Sequence, residues 1–105
     1  MFGSWAGGLY PVGSTQVEQA CRAGPSLVVR GDGMRRYPLV GAPEDRVVAT
    51  VRPVQGGVDI TFAPLAGAAG FGCESPDVLH VHRNGPDEIT FPGCAAYPEP
   101  LVKCR

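Results

Sequence analysis

Four cysteines in a chain of 105 residues are the feature that most restricts the fold, namely Cys21, Cys73, Cys94 and Cys104. Their number is even and no Cys-x-x-Cys pair occurs, which argues against a zinc ribbon or a thioredoxin-type redox pair. The pattern favours two structural disulfides over four buried free thiols in a cytosolic protein. Because such bridges persist in oxidising compartments, we predict a periplasmic or secreted protein.

The composition predicts one small domain, residues 1–105, built mainly from strands and turns. The chain contains 15 glycines and 11 prolines, which interrupt long helices, yet 44% of its residues are hydrophobic, as in globular proteins. The net charge is -1 and no basic stripe occurs, so binding to nucleic acid has no electrostatic basis. No apolar run approaches the length of a membrane span.

Alternating apolar and polar residues between glycine and proline turns predict a series of β-hairpins. The predicted elements are a first strand over 2–6, hairpins over 26–39, 46–63 and 77–91, and a last strand over 101–104. One short helix is predicted over 15–23, because Thr15 and Glu18 have the spacing of a capping box and Gly24-Pro25 ends the run. The fold class is therefore all-β, a small antiparallel barrel or sandwich of seven or eight short strands.

The pairing within each hairpin follows from placing its apolar side chains on one face. In the first hairpin this pairs Leu27 with Leu39. In the second hairpin a turn at Gly56-Gly57 agrees with the alternation and pairs Val51 with Phe62. We therefore expect all four of these apolar residues in strands that contribute to one core.

The third hairpin carries the only two histidines of the chain. Alternation places four of its side chains in the core, namely Leu79, Val81, Ile89 and Phe91. His80 and His82 then face outward, with Glu88 opposite His82 and Thr90 opposite His80. Two imidazoles so placed can hold zinc or copper, with Glu88 as a third ligand. The favoured alternative is an ordinary polar outer face, because no fourth ligand is evident.

Four cysteines allow three pairings, and the sequence alone does not choose among them. Cys73 and Cys94 flank the third hairpin, which favours a bridge between them. Cys21–Cys104 would then tie the start of the first hairpin to the last strand, which is the natural tie if the first and last strands meet and close a barrel. The alternative is a local Cys94–Cys104 bridge across the proline-rich bend between these residues.

The predicted partner-binding residues lie in the irregular segment 64–76, where Leu65 and Phe71 are the large apolar residues and Glu74 follows. Loops on rigid β scaffolds commonly carry binding, so these three residues are the candidate contacts. The alternative is that Leu65 and Phe71 fold back and plug one end of the barrel. No Gly-x-Ser-x-Gly elbow or other catalytic set occurs, so we expect neither enzymatic activity nor a cofactor.

Phe2-x-Gly-x-Trp5 at the head of a chain of strands resembles the opening strand of lipocalin-like small barrels, including the secreted bacterial inhibitors of metalloproteases. The resemblance implies a barrel with Trp5 in its core. The cysteine positions and the early helix depart from that pattern, so no inhibitory residues are carried over. We expect a binding protein, most specifically an inhibitor or immunity-type partner of a hydrolase. The alternatives are a lipocalin-like carrier of a small apolar ligand and a metal-binding protein using His80 and His82.

Overall fold

A computed structural model describes residues 2–67, 73 and 75–105. These residues form a closed eight-stranded antiparallel barrel with one short helix and two disulfides. The elements are β1 (Gly3–Gly7), α1 (Val17–Ala23), β2 (Leu27–Val29), β3 (Gly33–Arg36), β4 (Glu44–Val54), β5 (Gly57–Phe62), β6 (Val78–Gly85), β7 (Glu88–Thr90) and β8 (Leu101–Lys103). Each strand pairs with the next, and β1 also pairs with β8. The predicted fold class is therefore confirmed.

The barrel interior is filled by side chains from alternate strand positions, as the two-residue period of a strand requires. The buried apolar set includes Trp5, Leu27, Val29, Met34, Ile60, Phe62, Leu79, Val81, Ile89, Phe91, Tyr97 and Leu101. Trp5 is 2% exposed, which confirms it as a core residue. The four core positions predicted for the third hairpin are also confirmed, since none of them is more than 3% exposed.

Both predicted disulfides are present. Cys21–Cys104 joins α1 to the residue after β8, across a sequence separation of 83 residues. Cys73–Cys94 joins the segments before β6 and after β7, across a separation of 21 residues. The first bridge lies beside the seam at which β1 and β8 close the barrel, where Cys104 also donates its backbone N–H to the Ser4 carbonyl oxygen at 2.8 Å.

The helix is present but begins two residues later than predicted. The capping box between Thr15 and Glu18 does not form, because Gln16 precedes the first helical residue and no side chain caps the helix. Glu18 instead forms an ion pair with Arg22, one turn further along the same exposed face. No residue of α1 is buried, so the helix lies against the outside of β1 and does not plug the barrel.

The first predicted hairpin forms with a different register. Leu27 pairs with Arg36, not with Leu39. Tyr37 donates the last hydrogen bond of this pairing to the Ser26 carbonyl oxygen at 2.9 Å, and Pro38 follows without an N–H to donate. Pairing therefore stops before Leu39, which lies in the connection to β4.

The second hairpin turns at Gln55-Gly56 and not at Gly56-Gly57, so Val51 pairs with Ile60 instead of Phe62. Gly56 has a φ of 81°, which the second position of this turn requires and which glycine adopts readily. An irregularity between Val48 and Thr50 shifts the register again. The predicted register assumed regular alternation, with every apolar residue on one face, and therefore did not include this bulge.

The third hairpin contains a bulge between Arg83 and Gly85, which changes every predicted pair. His82 lies opposite Thr90, and Glu88 lies opposite Gly85. The expectation that Glu88 faces His82, and the pairing of His80 with Thr90, are therefore wrong. The outward direction of both histidines is correct, since both side chains are exposed.

Successive strands run in opposite directions, so the connections alternate between the two open ends of the barrel. One end, here called the apolar rim, carries the connection 37–43, the described part of 63–77 and the connection 91–100, together with the two ends of the longer connection 8–26. The other end, here called the terminal rim, carries residue 2, the turns 30–32, 55–56 and 86–87, and residues 104–105.

Candidate partner-binding surface

Large apolar side chains are exposed at the tips of the apolar rim. In the connection between β3 and β4, Leu39 is 72% exposed and Val40 is 91% exposed. In the connection between β5 and β6, Leu65 is 53% exposed, so much of its side chain contacts solvent instead of plugging the barrel. The other two predicted contacts, Phe71 and Glu74, lie outside the described residues. Leu39 and Val40 were missed because alternation had assigned Leu39 to the core.

The connection 37–43 reads Tyr-Pro-Leu-Val-Gly-Ala-Pro and has a proline near each end. Pro38 and Pro43 fix one backbone torsion each near the two ends, which lowers the entropy that the loop loses when it becomes ordered. Gly41 has a φ of 106°, a conformation that other residues rarely adopt. The loop therefore presents its two exposed apolar side chains on a restrained backbone.

Two cross-strand ion pairs join β3 to β4 at the base of this loop. Arg35 donates two hydrogen bonds to the Asp45 carboxylate, both of 2.8 Å, and the two residues are directly paired. One step nearer the loop, Arg36 Nε lies 3.9 Å from Glu44 Oε2. The hydrogen bond from Arg35 is the main reason that the pKa of Asp45 lies below its ordinary value of 3.8. The carboxylate is therefore ionised, and the pair intact, throughout the neutral range.

A buried arginine fixes the stem of the loop that carries Leu65. The side chain of Arg46 is 1% exposed and donates to Asp77 Oδ1 at 2.9 Å and to the Pro76 carbonyl oxygen at 3.1 Å. It also reaches the Ala63 carbonyl oxygen at 3.4 Å. These acceptors lie at the two ends of the connection between β5 and β6, so one guanidinium holds both ends of that loop to β4.

The third connection of the apolar rim is anchored by Tyr97 and by a disulfide. Tyr97 is 3% exposed and packs edge-on against Phe91, with ring centroids 5.3 Å apart. Burial raises the pKa of Tyr97 above 10.0, and the charge of Glu44 adds to the rise while that of Arg36 opposes it. Cys73–Cys94 connects this segment to the one carrying Leu65. These three connections of the rim are therefore each fixed to the barrel.

The histidine face lies on the outer side of β5 and β6, away from the apolar rim tips. His80 Nδ1 lies 2.7 Å from Asp59 Oδ1, and Arg52 donates to the other carboxylate oxygen of Asp59 at 3.1 Å. His82 Nδ1 lies 2.8 Å from Asn84 Oδ1. The hydrogen bond from His80, followed by that from Arg52, keeps the pKa of Asp59 below 3.8. Within the described ranges no three His, Cys, Asp or Glu side chains gather around a point that could hold a metal ion.

The described residues form several grooves on the outer surface of the barrel. One of about 750 Å³ runs between α1 and the end of β8 and is lined by Glu18 and Lys103 among others. Another of about 490 Å³ lies at the apolar rim between Leu9, Pro25 and Tyr37. Inside the barrel, the apolar side chains are at most 6% exposed. In the described part of the chain, the grooves that a partner could occupy therefore lie on the outer surface of the barrel.

No protein-family model, curated protein or solved structure matches this chain. The resemblance to lipocalin-like barrels, which rests on Phe2-x-Gly-x-Trp5 and the spacing of the strands, is therefore not confirmed by any known protein, while the closed barrel and the buried Trp5 that it implied are both present. None of the helices in the described part of the chain has the length and apolar character needed to cross a membrane.

Proposed function

We propose that this protein is secreted or periplasmic and binds a protein partner through its apolar rim, and that the partner is a hydrolase which it inhibits or against which it confers immunity. The two disulfides and the small barrel fit a secreted binding protein. The observation that carries the proposal is the exposure of Leu39 and Val40, 72% and 91%, on a restrained loop of a cross-linked barrel.

The exposed side chains of Leu39 and Val40 supply a hydrophobic driving force for association. Burial of a Leu or Val side chain in a partner contributes about 1.5 to 3 kcal/mol for each side chain. Association also requires ordering of loops and side chains, which opposes binding. Because the loop is bounded by prolines and by two ion pairs at its base, much of that ordering has occurred before the partner arrives.

The shape of the apolar rim supports a partner with a cleft. The connection 37–43 exposes its apolar residues Leu39 and Val40, and the charged residues lie only in the strands at its base. Active sites of hydrolases are concave and largely apolar, with a few polar groups that orient the substrate. A short loop with exposed apolar side chains complements such a cleft, and occupation of the cleft would exclude substrate.

We further propose that the protein has no catalytic activity of its own. Among the described residues, the carboxyl groups with lowered pKa values are Asp45 and Asp59, and each is engaged by an arginine. Catalytic acids and bases require a group that is available for proton transfer. These two shifts are those of structural ion pairs. The packed interior likewise gives no support to a carrier of small apolar ligands.

The test compares two surface variants as bait for proteins in the extracellular or periplasmic fraction of the source. Leu39→Ser/Val40→Ser removes the apolar tips of the rim. The matched control, Val51→Ser/Val54→Ser, removes two side chains that are 55% and 38% exposed in the hairpin of β4 and β5. Circular dichroism establishes that both variants retain the fold of the parent protein.

We expect the parent protein and the control to capture a hydrolase and to reduce its activity in proportion to the amount added. The rim variant should bind that hydrolase at least about tenfold more weakly, which corresponds to about 1.4 kcal/mol. Equal binding by both variants would show that the apolar rim is not the binding surface. A captured partner whose activity is unaffected by the parent protein would refute inhibition.

A further inference from the structure

We propose that His80 and His82 form a solvent-open binding site for a divalent first-row transition metal ion, with Cu²⁺ bound most tightly, and with Asp59 and Asn84 as the residues that orient the two imidazoles. This site is separate from the apolar rim and needs no protein partner. Its failure in the test below would leave the proposed function unaffected.

The strand geometry brings the two imidazoles together. His80 and His82 are two residues apart in β6, so their side chains leave the same face of the sheet. Their Cα atoms are separated by about 6.6 Å at the usual rise of a strand. The side chain of His80 is 63% exposed and His82 is also exposed. Histidines at this spacing on one strand can both reach one ion, whose usual distance to an imidazole nitrogen is about 2.0 to 2.1 Å.

The hydrogen bonds of the rings select the nitrogen that remains available. The carboxylate oxygen of Asp59 is an acceptor, so His80 donates from Nδ1 across the 2.7 Å contact. The Asn84 Oδ1 atom likewise accepts from His82 Nδ1 at 2.8 Å. In both neutral imidazoles the lone pair then lies on Nε2. This is the arrangement of metal-binding histidines, which donate the other ring N–H to a carboxylate or carbonyl oxygen.

Asp59 is itself held in place by its neighbours. It pairs directly with Arg52 on β4 and with His80 on β6, and Arg52 donates to its second oxygen at 3.1 Å. The side chain of Asp59 is only 16% exposed, whereas that of Arg52 is 76% exposed. The orienting carboxylate is therefore fixed by two contacts before any ion binds.

The turn between β4 and β5 leaves His82 uncovered. A Cβ atom added to Gly56 would lie 3.3 Å from His82 Nε2, so a larger residue there would crowd the nitrogen proposed to bind the ion. Gly57, which pairs directly with His82, also lacks a side chain. The two glycines border the site on the β5 side and leave it accessible to solvent.

The donor set determines the class of ion. All four cysteines are in disulfides, so soft thiolate ligands are not available. The donors are two neutral imidazoles, and water completes the coordination of the ion. Imidazole suits copper, nickel and zinc, and at a given site the affinity rises from Ni²⁺ to Cu²⁺ and falls again at Zn²⁺. Hard ions such as Mg²⁺ and Ca²⁺ require oxygen ligands and should not bind here.

The test uses the fact that the chain has only two histidines, so that imidazole signals from the protein belong to this site. The side-chain ¹⁵N resonances are followed by NMR at neutral pH during titration with Zn²⁺, which is diamagnetic, and affinities for Cu²⁺ and Ni²⁺ are measured by calorimetry. Before metal is added, both rings should be protonated at Nδ1. On addition of Zn²⁺, both Nε2 resonances should shift with one common midpoint.

Three variants separate ligands from orienting residues. His80→Ala and His82→Ala should each weaken Cu²⁺ binding by at least about tenfold, and Asp59→Ala by about tenfold or more through loss of ring orientation. The matched control is Glu88→Gln, which changes the carboxylate that lies opposite Gly85 and should leave the affinity unchanged. Backbone amide spectra check that each variant is folded.

Several results would overturn the proposal. Two histidines that shift with different midpoints would be independent ligands and not one site. Rings protonated at Nε2 in the metal-free protein would contradict the orientation by Asp59 and Asn84. An Asp59→Ala variant with unchanged affinity would show that the carboxylate has no part in positioning His80.

Discussion

Removal of the two disulfides should destabilise the barrel to different extents, and the longer loop should matter more. Cys21–Cys104 closes a loop across 83 residues, whereas Cys73–Cys94 closes one across 21 residues. A cross-link stabilises the folded state chiefly because it restricts the unfolded chain, and the restriction increases with loop length. We therefore expect the Cys21→Ser/Cys104→Ser variant to be the less stable of the two.

The loop lengths give the magnitudes. The loop-entropy relation assigns about 4.5 kcal/mol to a closed loop of 83 residues and about 3.3 kcal/mol to one of 21 residues at 25 °C. The shorter loop lies inside the longer one, so with both bridges closed the effective longer loop shrinks to roughly 60 residues and its contribution to about 4.3 kcal/mol. The expected difference between the two variants is about 1 kcal/mol.

Packing at the two bridges does not reverse this order. Cys21 and Cys104 are only partly buried and α1 has no buried residue, so loss of this bridge removes little core contact. Cys94 is 5% exposed and belongs to the core cluster. Because a serine hydroxyl buried at this position would cost about 1 to 3 kcal/mol, as much as the expected difference or more, this bridge is removed as Cys73→Ala/Cys94→Ala.

Guanidinium chloride unfolding at equilibrium measures the two losses. Trp5 is the only tryptophan of the chain and is 2% exposed, so its fluorescence reports exposure of the core. Each variant is compared with the parent protein under oxidising conditions, with the dependence of the unfolding free energy on denaturant fitted in each case. If the Cys73→Ala/Cys94→Ala variant were the less stable by about 1 kcal/mol or more, loop entropy would not determine the order.

Three further predictions concern the sheet and the apolar rim. Gly57→Ala should destabilise the protein by about 1 to 3 kcal/mol in denaturant unfolding, because the new Cβ would lie 1.8 Å from a backbone oxygen of β6, whereas Gly31→Ala meets nothing within 4 Å and should be nearly neutral. Burial raises the pKa of Tyr97, so above pH 10.0 the folded chain keeps a proton that the unfolded chain loses. The free energy of unfolding should therefore fall as the pH rises above 10.0, and the Tyr97→Phe variant should show a smaller fall. Asp77→Ala removes the carboxylate that pairs with the buried Arg46 and should lower the free energy of unfolding by about 1 to 3 kcal/mol. Asp45→Ala, which breaks the exposed pair with Arg35, should lower it clearly less.

The inward and outward directions of the strand residues could be predicted from alternation, while the registers could not. Leu79 and Val81 are buried and His80 and His82 exposed, as the two-residue period requires. The bulge in β4 shifts the pairing without a distinctive residue to mark it, and the one in β6 lies next to Gly85, a residue that equally fits a turn. The predicted contact between His82 and Glu88 depended on the register and was wrong for that reason.

The surface was predicted only in part, because exposure depends on where strands end. Leu39 fits the alternation that begins at Leu27, yet pairing stops at Pro38 and leaves it in solvent. Arg46 shows the opposite case, since a charged residue ordinarily indicates an outward position and here it is buried. Its acceptors come from residues 17 to 31 positions later in the chain, which local pattern cannot reveal. The favoured disulfide pairing was correct although the sequence left alternatives open, because it was chosen from the expected neighbours of each strand.

The pairing of β1 with β8 determines where a tag, a fused domain or a solid surface can be linked to this protein. Lys103 Nζ donates to the Phe2 carbonyl oxygen, so the two ends of the described chain lie side by side at the terminal rim. A tag, a fused domain or a surface linked at either end would therefore point away from Leu39 and Val40. The barrel can be tethered at one end and still present its apolar loops freely at the other.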